Sequence, residues 1–197
     1  MNPSQITEWC HSVIASNAVR GGTYIDATMG NGNDTLFLCR LAGQSGHVWA
    51  FDIQECALQN TKALLLTNGC LDQASLILDG HEHMSQYLEP ESADVICFNF
   101  GYLPGGDHKL STRTETSIKA IRQGLAILKS GGIMSLCIYS GKDTGFEEKA
   151  GILAYLKTLA PKEYTVIVNE YYNRGNCPPL PVFIFKKINN PLQRRSD

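Results

Sequence analysis

The chain has 197 residues, 43% of them hydrophobic and 18% charged, with a formal net charge of −2. This is enough chain for one domain with a full core, and too apolar a composition for a disordered segment. A balance so near neutrality excludes nucleic-acid binding through overall charge, so such a partner has to meet a local basic patch. Taken in order, Asn2-Pro3 reads as a helix start, with a capping side chain and proline at the first helical position. Ile6, Trp9, Cys10, Val13 and Ile14 follow at helical spacing, and Gly21-Gly22 ends that run.

Thr23-Tyr24-Ile25 is β-prone and opens into Asp26-Ala-Thr-Met-Gly30-Asn-Gly32-Asn-Asp34-Thr35, which leads to a helix over Thr35 to Leu41. A strand, a tight glycine turn and a helix start form a cradle for a nucleotide-type cofactor. A dinucleotide fingerprint requires a third glycine where this chain has Thr35. The loop also carries carboxylates at Asp26 and Asp34, with Arg40 as the one counter-charge nearby. A pyrophosphate is repelled by such a loop, whereas an amino group or a sulfonium is attracted, which points to S-adenosylmethionine. A sharp strand-to-helix turn with no ligand is the plain alternative.

His47 to Asp52 is the second strand, its terminal acid about twenty residues past the glycines, where a carboxylate accepts ribose hydrogen bonds. Asp52 is otherwise an N-cap for the helix bearing Ala57, Leu58, Thr61, Leu64 and Leu65. Ser75 to Asp79 is a third strand, followed by Gly80-His81-Glu82-His83. The spacings of zinc sites are absent there, and a loop lining an adenine pocket is the preferred reading. Asp94 to Phe100 is a continuous apolar run typical of a central parallel strand, and it opens into Gly101-Tyr102-Leu103-Pro104-Gly105-Gly106-Asp107. Ile118, Ile121, Leu125 and Leu128 make a helix ended by Gly131-Gly132, and Ile133 to Tyr139 is a fifth strand. A helix through Ile152, Leu153, Leu156 and Leu159 stops at Pro161. Tyr164 to Tyr172 and Val182 to Ile188 lack a helix between them and are expected to pair as an antiparallel hairpin. The polar tail, 189–197, is expected to fray. The expectation is a single domain over 1–197, an α/β three-layer sandwich with a parallel sheet closed by that hairpin.

The seven cysteines are scattered, without Cys-x-x-Cys spacing, and read as small buried hydrophobes rather than a disulfide or zinc framework. No leader-like or membrane-spanning run is recognisable, so the expected location is cytoplasmic.

Together, Asp26 to Thr35, Phe51-Asp-Ile-Gln54, Gly80-His-Glu82 and Asn99-Phe-Gly-Tyr-Leu-Pro-Gly-Gly-Asp107 resemble one family. It is the class I S-adenosylmethionine-dependent methyltransferases labelled rRNA methylases, over nearly the whole chain. The family includes bacterial enzymes that methylate the aminomethyl group of 5-aminomethyl-2-thiouridine at the tRNA wobble position. The resemblance implies a Rossmann-like fold with a mostly parallel seven-stranded sheet. It implies cofactor positions at Asp26, Gly30, Gly32, Asp34, Asp52 and Asp79. Adjoining positions complete that set: Thr28, Asn31, Asn33, Ile53, Gln54, Gly80, His81, Asn99, Phe100 and Gly101. It also implies an acceptor loop over Asn99 to Asp107. Gly141-Lys142-Asp143 replaces the Gly-His-Pro segment usual in that family.

Methyl transfer to an alkylamine requires the amine neutral and aligned. Asn99 has a carbonyl to hold its N–H groups, Tyr102 a ring to stack on the base, and Asp107 a carboxylate to take its proton or merely cap a turn. Lys109, Arg113, Lys119, Arg122, Lys142 and Arg174 fall near the same sheet edge, and of these Lys119 and Arg122 read better as ordinary surface. The expected partner is a tRNA anticodon stem-loop, with no DNA, membrane or metal, and a homodimer through the hairpin or N-terminal helix is open. A methyltransferase for a small amine and a nucleotide-binding Rossmann module or dehydrogenase are the competing readings.

Overall fold

Seven strands form one sheet in the order β3-β2-β1-β4-β5-β7-β6. They are β1 (Thr23–Asp26), β2 (His47–Asp52), β3 (Ala74–Leu78), β4 (Ala93–Phe100), β5 (Leu128–Ile138), β6 (Tyr164–Val168) and β7 (Leu180–Lys186). The computed structural model describes residues 6–101, 112–140, 145–175 and 177–188. The first five strands run parallel, and β7 is antiparallel to both β5 and β6. The helices are α1 (Ile6–Asn17), α2 (Asn33–Ala42), α3 (Glu55–Thr67), α4 (Thr114–Ile127) and α5 (Gly145–Leu156). The mixed sheet ending in a hairpin is the architecture expected from the chain.

Strand alternation divides the core between two faces. Ile96, Phe98 and Phe100 of β4 point into a cluster with Ile121 and Leu125 of α4 and Ile152 of α5. Val95 and Cys97 point the other way, to Cys10 and Ile14 of α1 and Leu38 of α2. Chain order reverses between β1 and β4, whose neighbouring register (Asp26 opposite Cys97) opens a crevice at their carboxyl ends.

Several boundaries differ from the sequence expectation, and one is the end of α5 at Leu156, short of Leu159 and the Pro161 stop. Helix α4 ends at Ile127, and Gly131-Gly132 lies inside β5 rather than stopping the helix. Leu128 already pairs with Ala93, and the register then jumps to Val95 opposite Ile133. Gly131 takes a φ of 84° in this bulge, which a side-chained residue resists. Strand β6 stops at Val168, short of Tyr172, and β7 begins at Leu180 and ends at Lys186. Pro181, which has no N–H, sits at the start of β7 and accepts from Asn169 N–H as the pairing closes. The expected helix start at Asn2-Pro3 and the polar tail lie outside the described residues.

Candidate active site

The loop between β1 and α2 is fixed by its own backbone. Ala27 N donates to Cys97 O, Met29 N to Phe51 O and Gly32 N to Met29 O. Gly30 and Gly32 adopt φ values of 51° and 81°, and Gly32 is the N-cap of α2. A Cβ on Gly32 would meet Thr61 at 2.8 Å, so α3 packs directly beneath the turn. Thr61 also donates to the Gly30 carbonyl.

Asp52 accepts from Gly30 N–H at 3.0 Å and from Gln54 N–H at 2.9 Å. It is not the cap of α3, because that position is held by Gln54, without a side-chain bond. Each carboxylate oxygen keeps a second lone pair, so Asp52 retains acceptor capacity for a diol. Beside it Ile53 is 56% exposed on the open edge, a flat apolar surface next to an acid. Asp79 accepts from Gly80 N–H, His83 and Tyr87 Oη, and the His83 bond foremost holds its pKa below the usual carboxylate range. The ring of His81 points inward instead of lining the open edge. It meets Phe98 and Phe100 edge-on, and burial holds its pKa low. Its Nε2 lacks a hydrogen-bond partner. Among the described residues no group of His, Cys, Asp and Glu is arranged to hold a metal.

The two loop carboxylates differ. Asp26 is fully buried and accepts from Thr35 Oγ1 at 2.6 Å and Thr28 N–H at 3.2 Å. Desolvation, then the charge of Asp34, pushes its pKa up to about 7. Asp34 is also desolvated, yet His11 and Asn99 more than compensate and hold its pKa low. His11 Nε2 lies 2.7 Å from Asp34 Oδ1, and Asn99 Nδ2 donates to Asp34 Oδ2 at 2.7 Å. Arg40, the counter-charge expected from the sequence, bonds Asn68 Oδ1 instead, away from the loop. Asn99 is further fixed by its backbone N–H, which donates to Thr28 Oγ1 at 2.7 Å. With the amide nitrogen turned to Asp34, one N–H is used there and the Asn99 carbonyl is the acceptor left for a ligand.

The remaining residues fall into three groups. Asn31 and Asn33 lie exposed on the rim of the loop, Asn31 taking a bond from Asn60. The Phe100 ring is stacked on Phe98 in the core, so only its backbone faces the crevice. The Gly101 carbonyl accepts from Thr112 N–H, so the described residues on either side of the expected acceptor loop meet there. Tyr102, Asp107, Lys109 and Lys142 lie outside the described residues. Arg113 immediately precedes α4, and Arg174 lies on the β6–β7 connection, its guanidinium 4.1 Å from the Tyr171 ring centre. Both follow strands that end at the crevice edge of the sheet. Arg122 lies over Tyr155 between α4 and α5, as suits a surface packing role.

Sequence reasoning missed His11, Tyr87, Thr61 and Glu148. Glu148 is 3% exposed and accepts from Ser117 Oγ and Thr112 Oγ1, which ties α5 to the returning end of the acceptor loop. Glu148 sits between Glu147 and Lys149 on an ordinary charged turn, so neither it nor the other three carried a local signal.

A doubly wound sheet with an acid-flanked glycine turn at its switch point defines the class I methyltransferase architecture. The family model described as "Putative rRNA methylase" matches residues 48–185. The chloroplastic tRNA (mnm(5)s(2)U34)-methyltransferase of Arabidopsis thaliana is 36% identical over 93% of this chain and 70% of its own length. An rRNA-methylase structure from Clostridium thermocellum superposes with a TM-score of 0.89 at 43% identity, covering 91% of this chain and 96% of that one. A methyltransferase from Streptococcus mutans, in complex with SAH, gives 0.82 at 36% identity over 92% and 98%. The chain belongs to this rRNA methylase family.

Proposed function

We propose that the protein is a tRNA methyltransferase that acts on the aminomethyl nitrogen of 5-aminomethyl-2-thiouridine at the wobble position, with S-adenosylmethionine as donor. The observation that carries this reading is the Asp34–Asn99 pair, which orients the amide nitrogen to Asp34 and leaves a carbonyl beside the glycine loop. The residues fit the cofactor: Asp52 for a ribose diol, exposed Ile53 for an adenine face, and an acid-rich loop for an amino group. When bound, that cofactor supplies an electrophilic methyl on a sulfonium, which leaves as a thioether. The Asn99 carbonyl holds an N–H of the neutral amine, so its lone pair faces the methyl as the C–N bond forms and the C–S bond breaks. The resulting secondary ammonium loses its proton to solvent or to a nearby carboxylate, with Tyr102 stacking the base and Asp107 as candidate proton acceptor.

Arg113 and Arg174 serve the phosphates of the anticodon stem-loop in this reading, together with Lys109 and Lys142. A homodimer would pair on the β6 edge, where Ile167 and Val168 are exposed; sedimentation tests it. The reaction is tested by nucleoside mass spectrometry after incubating purified protein with S-adenosylmethionine and tRNA. Methylation is expected with tRNA carrying the aminomethyl group and not with an unmodified transcript. Methylation of the bare transcript, or of a free small amine at equal efficiency, overturns the assignment. Lack of a thermal shift with S-adenosylmethionine or S-adenosylhomocysteine overturns the cofactor.

A further inference from the structure

Helix α1 packs against β5 and sends His11 to the glycine loop, where nothing in the reading of the reaction has yet used it. The imidazole lies flat on the Phe37 ring of α2, with centroids 3.7 Å apart and planes 5° off parallel. It therefore cannot swing without losing that stack. Its Nε2 is 2.7 Å from Asp34 Oδ1. An ionised carboxylate only accepts, so Nε2 carries the proton and donates. The other oxygen, Oδ2, takes Asn99 Nδ2. Each oxygen of Asp34 thus serves one partner, at equal distance.

We propose that His11 is a positioning residue of the acceptor site, acting through Asp34 to fix which way the Asn99 amide faces. This rests on the reading that Asn99 serves the methyl acceptor. An asparagine amide presents a donor or an acceptor according to its flip. Against an acceptor-only carboxylate the nitrogen must face Asp34, and the carbonyl then faces the crevice. The reverse flip turns N–H groups towards the acceptor amine, where they would hydrogen-bond the very lone pair that has to attack. Flip selection thus requires both residues to stay put. Asn99 is pinned through its main chain, held on Thr28. Asp34 is pinned by His11. The cavity behind the pair, lined by Cys10, Asp34, Cys97, Asn99, Ser135 and Cys137, holds about 10 Å³, roughly one water. Truncating His11 would let more water reach the carboxylate and give it other donors.

A mere staple between α1 and α2 predicts loss of stability with no link to Asn99. The discriminating experiment is a double-mutant cycle of His11→Ala and Asn99→Ala, with His11→Gln as the conservative variant, because the glutamine amide nitrogen reaches the place of Nε2. His11→Ala is expected to lower kcat about 10- to 30-fold, leaving the KM for tRNA and the Kd for S-adenosylhomocysteine within about twofold. In the Asn99→Ala background the same change should cost less than about twofold. His11→Gln should restore most of kcat. A second readout needs no substrate: the Asn99 side-chain amide signal, identified by its absence from Asn99→Ala in heteronuclear NMR. It should shift in His11→Ala and return in His11→Gln. Additive effects in the cycle, or an amide signal unmoved by His11→Ala, overturn the proposal. Should His11→Ala not fold, His11→Gln and His11→Phe carry the same comparison, and an amide signal equal in both overturns it. If wild-type protein does not methylate aminomethyl tRNA, the reading of the reaction fails while the amide signal still decides the role of His11.

Discussion

Asp79, at the β3 end of the crevice, takes its bonds from Gly80, His83 and Tyr87, residues one, four and eight positions away. Asp34, across the crevice, is held by His11 and Asn99, at separations of 23 and 65. Glu148, on the α4–α5 face of the sheet, accepts from Ser117 and Thr112, 31 and 36 residues back. One side of the crevice is built from local turns, in which a carboxylate folds onto its own neighbours and stays partly in water. The other is assembled from elements far apart in the chain and is desolvated. Carboxylates on the local side are cheap to keep and free to meet a ligand. On the assembled side they are costly unless every partner arrives, so loss of one partner disturbs the rest.

The largest expected effect concerns the buried Asp26. Its pKa is lifted by desolvation, then by Asp34, from an ordinary 3.8 to about 7. Folding therefore takes up a proton at this site between those values. Its stabilising contribution is full below 3.8 and is lost as pH rises through about 7. At about 1.4 kcal/mol per unit, the stability difference between wild type and Asp26→Asn should change by on the order of 4 kcal/mol between pH 4 and pH 8. Wild type should lose ground as pH rises. Asp34, held low, works in the opposite sense and loses its contribution as pH falls through its folded value. Urea unfolding of both proteins across that range measures this, and a pH-independent difference would place Asp26 outside the desolvated network.

Next comes a direct contrast between the two sides. Glu148→Ala leaves a buried Ser117 hydroxyl and the Thr112 anchor without their acceptor and should cost about 2–3 kcal/mol. Asp79→Ala removes three bonds, one more than Glu148→Ala, but from a half-buried, partly solvated position, and should cost less than about 1 kcal/mol. Thermal or urea unfolding compares them. Equal costs would dissolve the distinction between a local and an assembled side.

The same contrast explains what was legible in the sequence. The glycine turn, the acid closing β2, the continuous apolar run of β4 and the hairpin are signals carried by short stretches of chain, and the structure has all of them. The Gly131-Gly132 stop failed because a strand bulge and a helix terminus both call for glycine, and only pairing with Ala93 and Val95 decides between them. Arg40 looked like the counter-charge because it is near in sequence, but nearly two turns of α2 carry it away to Asn68. His11 was invisible for the converse reason. It lies next to Cys10 in an amphipathic helix, and nothing local reveals that Asp34 is opposite. His81 read as a pocket residue from its neighbourhood, yet its ring turned inward to Phe98 and Phe100, a choice made by core packing.

A third test separates cofactor from acceptor roles. Asp52→Ala should weaken S-adenosylhomocysteine binding about tenfold by calorimetry, through loss of diol hydrogen bonds, and leave the Asn99 amide signal unchanged. A coincident shift of that signal would mean that the two sides are coupled through Gly30, whose N–H Asp52 accepts.

The smallest effect is expected at the rim, where the comparison becomes one between two edges of the sheet. Arg113 and Arg174 follow strands that end at the crevice, so each is within reach of a strand lying across it. Arg174 is already stacked with Tyr171, which limits the freedom it has left to lose on contact. Arg20 and Arg40 line a groove with Gly21, Gly43 and Ser45 at the opposite edge, where β1 and β2 begin. A net charge of −2 gives little long-range attraction for RNA, so the dependence of affinity on salt should report a few contacts. Removing Arg113 or Arg174 should each lower the slope of log affinity against log salt by about 0.7–0.9. Arg20→Ala and Arg40→Ala should leave it unchanged, although they alter net charge by the same amount. A loss of slope in all four variants alike would mean that bulk charge, rather than the crevice edge, sets RNA binding, and the rim would have no claim on the anticodon stem-loop.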